Sequence, residues 1–134
     1  MQEVLQFKIS LDEIHEVKNS RECATMILFH GEADCSNFRG KVLPGGVDTQ
    51  VWRQGEKRSM SARYILEGLD SAGEKCRIFV ENQGWMEEGA QETLTKPAII
   101  TDSAALKWLE EVPLCGRVCE EEGFIIIHIY KEDE

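Results

Sequence analysis

Two stretches carry the residues best suited to chemistry. The first is Pro44-Gly45-Gly46-Val47-Asp48-Thr49-Gln50-Val51-Trp52. Asp48 follows a double glycine, and Gln50 and Trp52 share its face at the period of two that an extended chain imposes. A carboxylate there reads as a general base or a ligand anchor, with Gln50 as a polar wall and Trp52 as an aromatic floor. The competing reading is a turn residue that accepts backbone N–H bonds. The second stretch is a hairpin. Pairing Asp70 with Glu74 around a three-residue loop ending in Gly73 sets the register, and Glu67 then faces Arg77 while Arg63 faces Glu81. Two opposite-charge cross-strand pairs arising together support that register.

Glu81 is the second acid–base candidate. An arginine beside it keeps the carboxylate ionised, which favours binding over proton transfer, and Arg63 would then meet an anionic or carbonyl ligand. The competing reading is an exposed ion pair worth under about 1 kcal/mol. Tyr64 and Asn82 lie on the opposite face with Leu66, Cys76, Ile78 and Val80, and are candidates for ligand binding. Otherwise Tyr64 is a core residue with its hydroxyl at the rim, and Asn82 ends a strand. His128, like His30, sits on an apolar face. It is a ligand-binding candidate if a carboxylate neighbours it, and a satisfied core histidine otherwise.

Much chemistry is excluded. The chain has no phosphate loop, no serine nucleophile elbow, no His-Glu-x-x-His and no dinucleotide fingerprint. Catalysis, if present, is expected to need no cofactor and to rest on acid–base groups in a pocket. The five cysteines are an odd count, and Cys115-x-x-x-Cys119 lacks a second Cys/His pair. Reduced thiols, a cytoplasmic location and no metal are therefore expected. A net charge of −10 and a pI near 4.8 disfavour nucleic acid and anionic membranes. The acidic runs at 120–122 and 132–134 read as a solvated turn and tail. The start lacks a basic, apolar leader pattern, and no apolar run approaches the ~18 residues of a membrane span.

The elements that must position these residues are mostly strands. Leu5, Phe7, Ile9 and Leu11 alternate with polar residues. Residues 12–21 read as a loop, residues 24–33 as a strand, and residues 38–53 as strand, sharp reversal, strand. The hairpin 60–82 follows, then a loop over 83–92 in which Trp85 is placed to lid a pocket. Residues 97–101 form a short strand, edge-like because of Pro97. A helix is predicted over 103–111, capped by Asp102 or Ser103 and stopped by Pro113. Its stripe of Ala105, Trp108, Leu109 and Val112 packs on the sheet. A last hairpin turns at Glu121-Glu122-Gly123.

About nine strands joined by hairpins, with no βαβ spacing, predict a single all-β domain over residues 1–134. It is an antiparallel β-barrel or sandwich, the barrel preferred, with one short helix. Residues 124–130 are apolar on both faces, as is the strand bearing Ile27 and Phe29. That predicts a homo-oligomer, dimer before trimer.

Three segments together resemble one family. They are Phe38-x-Gly40-x-Val42-Leu43-Pro44-Gly45-Gly46-x-Asp48, Ala62-Arg63-Tyr64-x-Leu66-x-x-x-Asp70-x-x-Gly73 and Ile78-Phe79-Val80-Glu81-Asn82-x-Gly84. The chain resembles the bacterial and fungal family called domain of unknown function 3237 from about Phe38 to Tyr130. It departs from the family at His30-Gly31-Glu32-Ala33-Asp34-Cys35 and at Glu110. The resemblance implies a single-domain barrel without a settled activity, similar to the allene oxide cyclase and dirigent barrels that bind small hydrophobic molecules. The expected function is binding of a small organic molecule, with isomerase, cyclase or hydratase chemistry as the enzymatic form. The alternative is a non-catalytic structural or interaction protein whose barrel is filled by its own side chains.

Overall fold

The computed structural model describes residues 1–133. Nine strands follow in order: β1 (Gln2–Lys18), β2 (Glu22–Asp34), β3 (Phe38–Val42), β4 (Val47–Arg53), β5 (Arg58–Asp70), β6 (Lys75–Met86), β7 (Glu92–Thr101), β8 (Leu114–Glu121) and β9 (Phe124–Lys131). Every pairing is antiparallel, and β1 pairs with both β9 and β2, so the sheet closes into a barrel. Closure removes the free edges that an open sheet presents. Among the described residues, no helix is long and apolar enough to cross a membrane.

The stretch 38–53 is not a hairpin. β3 and β4 run the same way and never pair with each other; each lies between β2 and β5. They are two halves of one interrupted stave, which leaves eight positions around the ring. Pro44 has no N–H to donate, and Gly45 adopts φ 108°, a region closed to most side chains. The chain therefore bulges outward and re-enters the same gap. Leu43 N–H to Ile65 and Phe29 N–H to the Gly46 carbonyl pin the two sides of the break. The effect is to restart β4 with Asp48, Gln50 and Trp52 on the interior side, opposite Ile27, Thr25 and Cys23.

Residues 12–18, expected as loop, continue β1. Leu11 pairs with Phe29 but Ile14 with Ile27, so a bulge at Asp12 and Glu13 swaps the inward set from odd to even positions. The predicted helix is a single 3-10 turn, Lys107–Glu110. Its period of three buries Leu106 and Leu109, not the four-residue stripe. Ser103 accepts the Leu106 N–H and donates to Asp70, and this fixes the turn across the end of the barrel where β5 meets β6. Burying Leu106 and Leu109 contributes about 1.5–3 kcal/mol each. β7 is longer than the expected 97–101. Pro97 sits just past the last β7–β8 pair, Thr95 with Gly116, where no ladder bond is lost.

The hairpin register holds as expected. Glu67 pairs with Arg77 and Arg63 with Glu81, and Gly73 takes φ 78° in the turn. The inward face carries Tyr64, Leu66, Ile78, Val80 and Asn82, all buried. Leu5, Phe7, Ile127 and Ile129 complete the core, so barrel closure covers one face of the doubly apolar β9. Of the C-terminal acidic run, Glu132 bonds Lys96 and Asp133 bonds the terminal amine. Glu134 lies outside the described residues.

Candidate functional site

Side chains fill the closed end of the barrel, where Phe7, Phe38, Leu66, Ile78 and Ile129 are at most 1% exposed. Toward the other end the staves lose bulk, and a cavity of about 250 Å³ opens. Its wall is almost wholly apolar: Ile9, Leu11, Ile27, Phe29, Met60, Ala62, Val118, Ile125 and Ile127. Asp48 and Gln50 interrupt that wall, and Cys119 and the exposed Glu120 of β8 border it toward the mouth. Ala90 and Gln91, between β6 and β7, with Glu92 and Thr93 at the start of β7 and Met86 at the end of β6, cover the mouth side.

Asp48 stands opposite Ala62 of β5, whose small side chain leaves room beside the carboxylate. Oδ2 accepts the Gln50 Nε2–H at 2.8 Å. Oδ1 is buried and meets no donor among the described residues. Burial lifts this carboxyl above the ordinary aspartate range, against the Gln50 bond and the nearby Ser61 backbone N–H that pull it down. A desolvated carboxylate with one oxygen free, facing an apolar cavity, has the character of a general base.

One layer deeper lie Tyr64, Asn82 and Thr95. The Tyr64 hydroxyl, both amide atoms of Asn82 and the Thr95 hydroxyl are buried without a hydrogen-bond partner among the described residues. Buried polar side chains are nearly always paired, so a cluster of such orphans is a strong local signal. Asn82 pairs across to Ala62, which places it on the far side of the same small residue from Asp48. Gly116 makes space for the layer: a Cβ there would overlap the Thr95 hydroxyl and lie 3.5 Å from Asn82 Oδ1. Tyr64 is held edge-on by Phe7 and Phe29 at 5.9 and 5.3 Å. Burial, and then the nearby Asp48 charge, push its phenol far above the usual range, so it remains a donor.

The sequence candidates divide cleanly. Asp48, Gln50, Tyr64 and Asn82 converge on the interior. Trp52 faces the same side but lies beyond the cavity, in an open depression at the mouth with Glu16, Lys18 and Arg58. Arg63 and Glu81 stand on the outer face, with Nε–Oε2 at 2.9 Å and the arginine side chain 64% exposed. Odd positions of β5 and β6 face out, so the pair cannot polarise a ligand inside. Accordingly, Arg63→Leu should cost under about 1 kcal/mol of stability. It should also leave interior ligand affinity unchanged, as read by thermal melts and calorimetric titration. His128 is buried, yet on the outer face, where Glu3 and Glu121 bond its two ring nitrogens. Thr95, Gly116 and the mouth residues 90–93 were not legible as site residues. A glycine within an apolar strand signals close approach of a neighbour, but the sequence does not say that the neighbour of Gly116 is Thr95.

Known proteins agree with this architecture. A UPF0311 protein of Clostridium acetobutylicum is 42% identical over 57 residues, a match covering 42% of this chain and 34% of the relative. The chain thus matches about a third of the length of that relative. A crystal structure of a protein of unknown function from the same organism superposes with a TM-score of 0.81 at 26% identity, covering 98% of each chain. An enzyme from Penicillium herquei superposes with a TM-score of 0.68 at 15% identity, over 96% of this chain and 92% of its own, a likeness of fold alone. The family described as "Protein of unknown function (DUF3237)" matches residues 1–131, essentially the whole described barrel, and the chain belongs to that family.

Proposed function

We propose that the barrel holds one small, largely apolar organic molecule in its mouth-side cavity, with Asp48 as the group that acts on it. A dry cavity of about 150 Å³ admits benzene, so about 250 Å³ suits a molecule of one or two rings. The observation that carries the reading is the free, buried Asp48 Oδ1 beside a largely apolar inner wall, with Glu120 and residues 91–93 supplying the polar groups toward the mouth. The chemistry such a group supports is proton removal from a carbon or hydroxyl next to a carbonyl. Gln50 orients the carboxylate, and the buried, unpaired Tyr64 phenol, Asn82 amide and Thr95 hydroxyl form a polar layer behind the cavity lining. Isomerisation, cyclisation and hydration all fit that set without a cofactor. The rival reading, a barrel filled for structure alone, draws support from the packed closed end. Calorimetric titration with small cyclic ketones and phenols separates them: one-to-one binding that Asp48→Asn alters supports the proposal, and no binding across the set supports the rival.

A further inference from the structure

A second cluster lies outside the barrel, near the mouth, on the β8–β9 hairpin. Cys119 Sγ is 3.3 Å from Glu121 Oε2, and Glu121 Oε2 is 3.1 Å from His128 Nε2. One donor atom from each residue falls within 4.8 Å of the others. We infer that Cys119, Glu121 and His128 bind a zinc ion on this outer face, with Glu3 of β1 orienting the imidazole.

Three observations carry the inference. Zinc bonds of about 2.0–2.3 Å arranged tetrahedrally place ligand atoms roughly 3.3–3.8 Å apart. Two of the three separations, 3.3 and 3.1 Å, already lie near that range, and the third lies within 4.8 Å. The donor set of thiolate, carboxylate and imidazole is one that zinc prefers. The third observation concerns hydrogen count. His128 is 6% exposed and meets a carboxylate at each nitrogen: Glu3 Oε1 at 2.9 Å from Nδ1 and Glu121 Oε2 at 3.1 Å from Nε2. A neutral imidazole has one N–H and satisfies only one of these acceptors. With Nδ1–H donating to Glu3, and Gln6 Nε2 also 3.4 Å from Nδ1, the Nε2 lone pair points into the Cys119–Glu121 cluster, where a second ring proton or a metal cation resolves the mismatch. A carboxylate on the far nitrogen is also the usual partner of a metal-bound histidine. The expectation of no metal weighed Cys115 with Cys119 along the chain; this ligand set is joined instead across β8 and β9. Three protein ligands leave the fourth position toward solvent, on the side of the partly exposed Glu121.

Cobalt(II) is the probe, because a thiolate–cobalt bond absorbs in the near ultraviolet and tetrahedral cobalt absorbs in the visible. Chelator-treated, reduced full-length protein titrated with cobalt should saturate at one equivalent with both features, and zinc should displace it. Cys119→Ser should lose the thiolate band. Glu3→Gln, which touches no metal, should weaken cobalt affinity by roughly 10–100-fold while circular dichroism stays unchanged. Asp48→Asn should bind cobalt as the wild type does, which keeps this test separate from that of the cavity. A titration without a thiolate band, or a band that survives in Cys119→Ser, overturns the site. Unchanged affinity in Glu3→Gln overturns the role of Glu3.

Discussion

Asp48→Asn should remove most proton-transfer activity while making the protein more stable at neutral pH. The activity loss follows from the role. A positioned general base contributes about 10²–10⁴-fold, and an amide cannot take up the proton, so a fall of at least about a hundredfold is expected. The stability gain follows from the carboxyl's environment. Burial raises its native pKa, against the Gln50 bond and the nearby Ser61 backbone N–H, which lower it. The folded state therefore holds this proton to higher pH than the unfolded state does. Stability is then greatest below the ordinary carboxylate range. It falls as pH rises from there through the raised native value. Asparagine has nothing to ionise, so the variant lacks that slope. Its melting temperature should exceed that of the wild type at pH 7, and the difference should shrink toward acid. A variant less stable at pH 7 than the wild type would mark Asp48 as a turn-holding residue. The rate of a base-dependent reaction in the wild type should rise with pH through the same window.

Asn82→Leu should stabilise the barrel and weaken interior binding together. The two side chains are similar in size, so the swap leaves little void. It removes a donor and an acceptor that are fully buried and unpaired among the described residues. Each such orphan carries a desolvation cost of about 1–3 kcal/mol, and a gain of that order is expected in denaturant unfolding. If the amide serves as a hydrogen-bonding floor for a ligand, the same change lowers affinity for a ketone or phenol that the wild type binds. Loss of stability with affinity intact would instead assign Asn82 a structural partner and detach the polar layer from function. Gly116→Ala probes the same layer from the other side, since its methyl would displace the Thr95 hydroxyl.

How far the sequence reveals this site depends on which physical signal each part uses. Period-two alternation identified the inward face of β1 and sorted the residues of β5, β6 and β9 into two faces. Charge pairing fixed the β5–β6 register, so Tyr64 and Asn82 were correctly separated from Arg63 and Glu81. Which of those two faces points inward was not legible, because the outward face carries Ile65 and Phe79 as well as charges. The break at Pro44-Gly45-Gly46 looked like a reversal because proline and glycine serve both turns and bulges; only the common neighbours β2 and β5 distinguish them. The β1 bulge at Asp12 and Glu13 broke the alternation and disguised a strand as loop. Leu106 and Leu109 follow a period of three, which a search for helical stripes misreads. The Cys119–Glu121–His128 cluster is joined by a cross-strand diagonal that no spacing rule along the chain contains.

The proposed function requires a ligand to enter the barrel and meet Asp48. Soaking crystals of the protein with small cyclic ketones and phenols tests it most directly. Electron density is expected inside the cavity between Ala62, Ile127 and Asp48, with a ligand oxygen or acidic hydrogen within hydrogen-bond distance of Asp48 Oδ1. Compounds found only in the open grooves outside the barrel, with the interior side chains repacked around Asp48 or ordered water alone beside it, would contradict it.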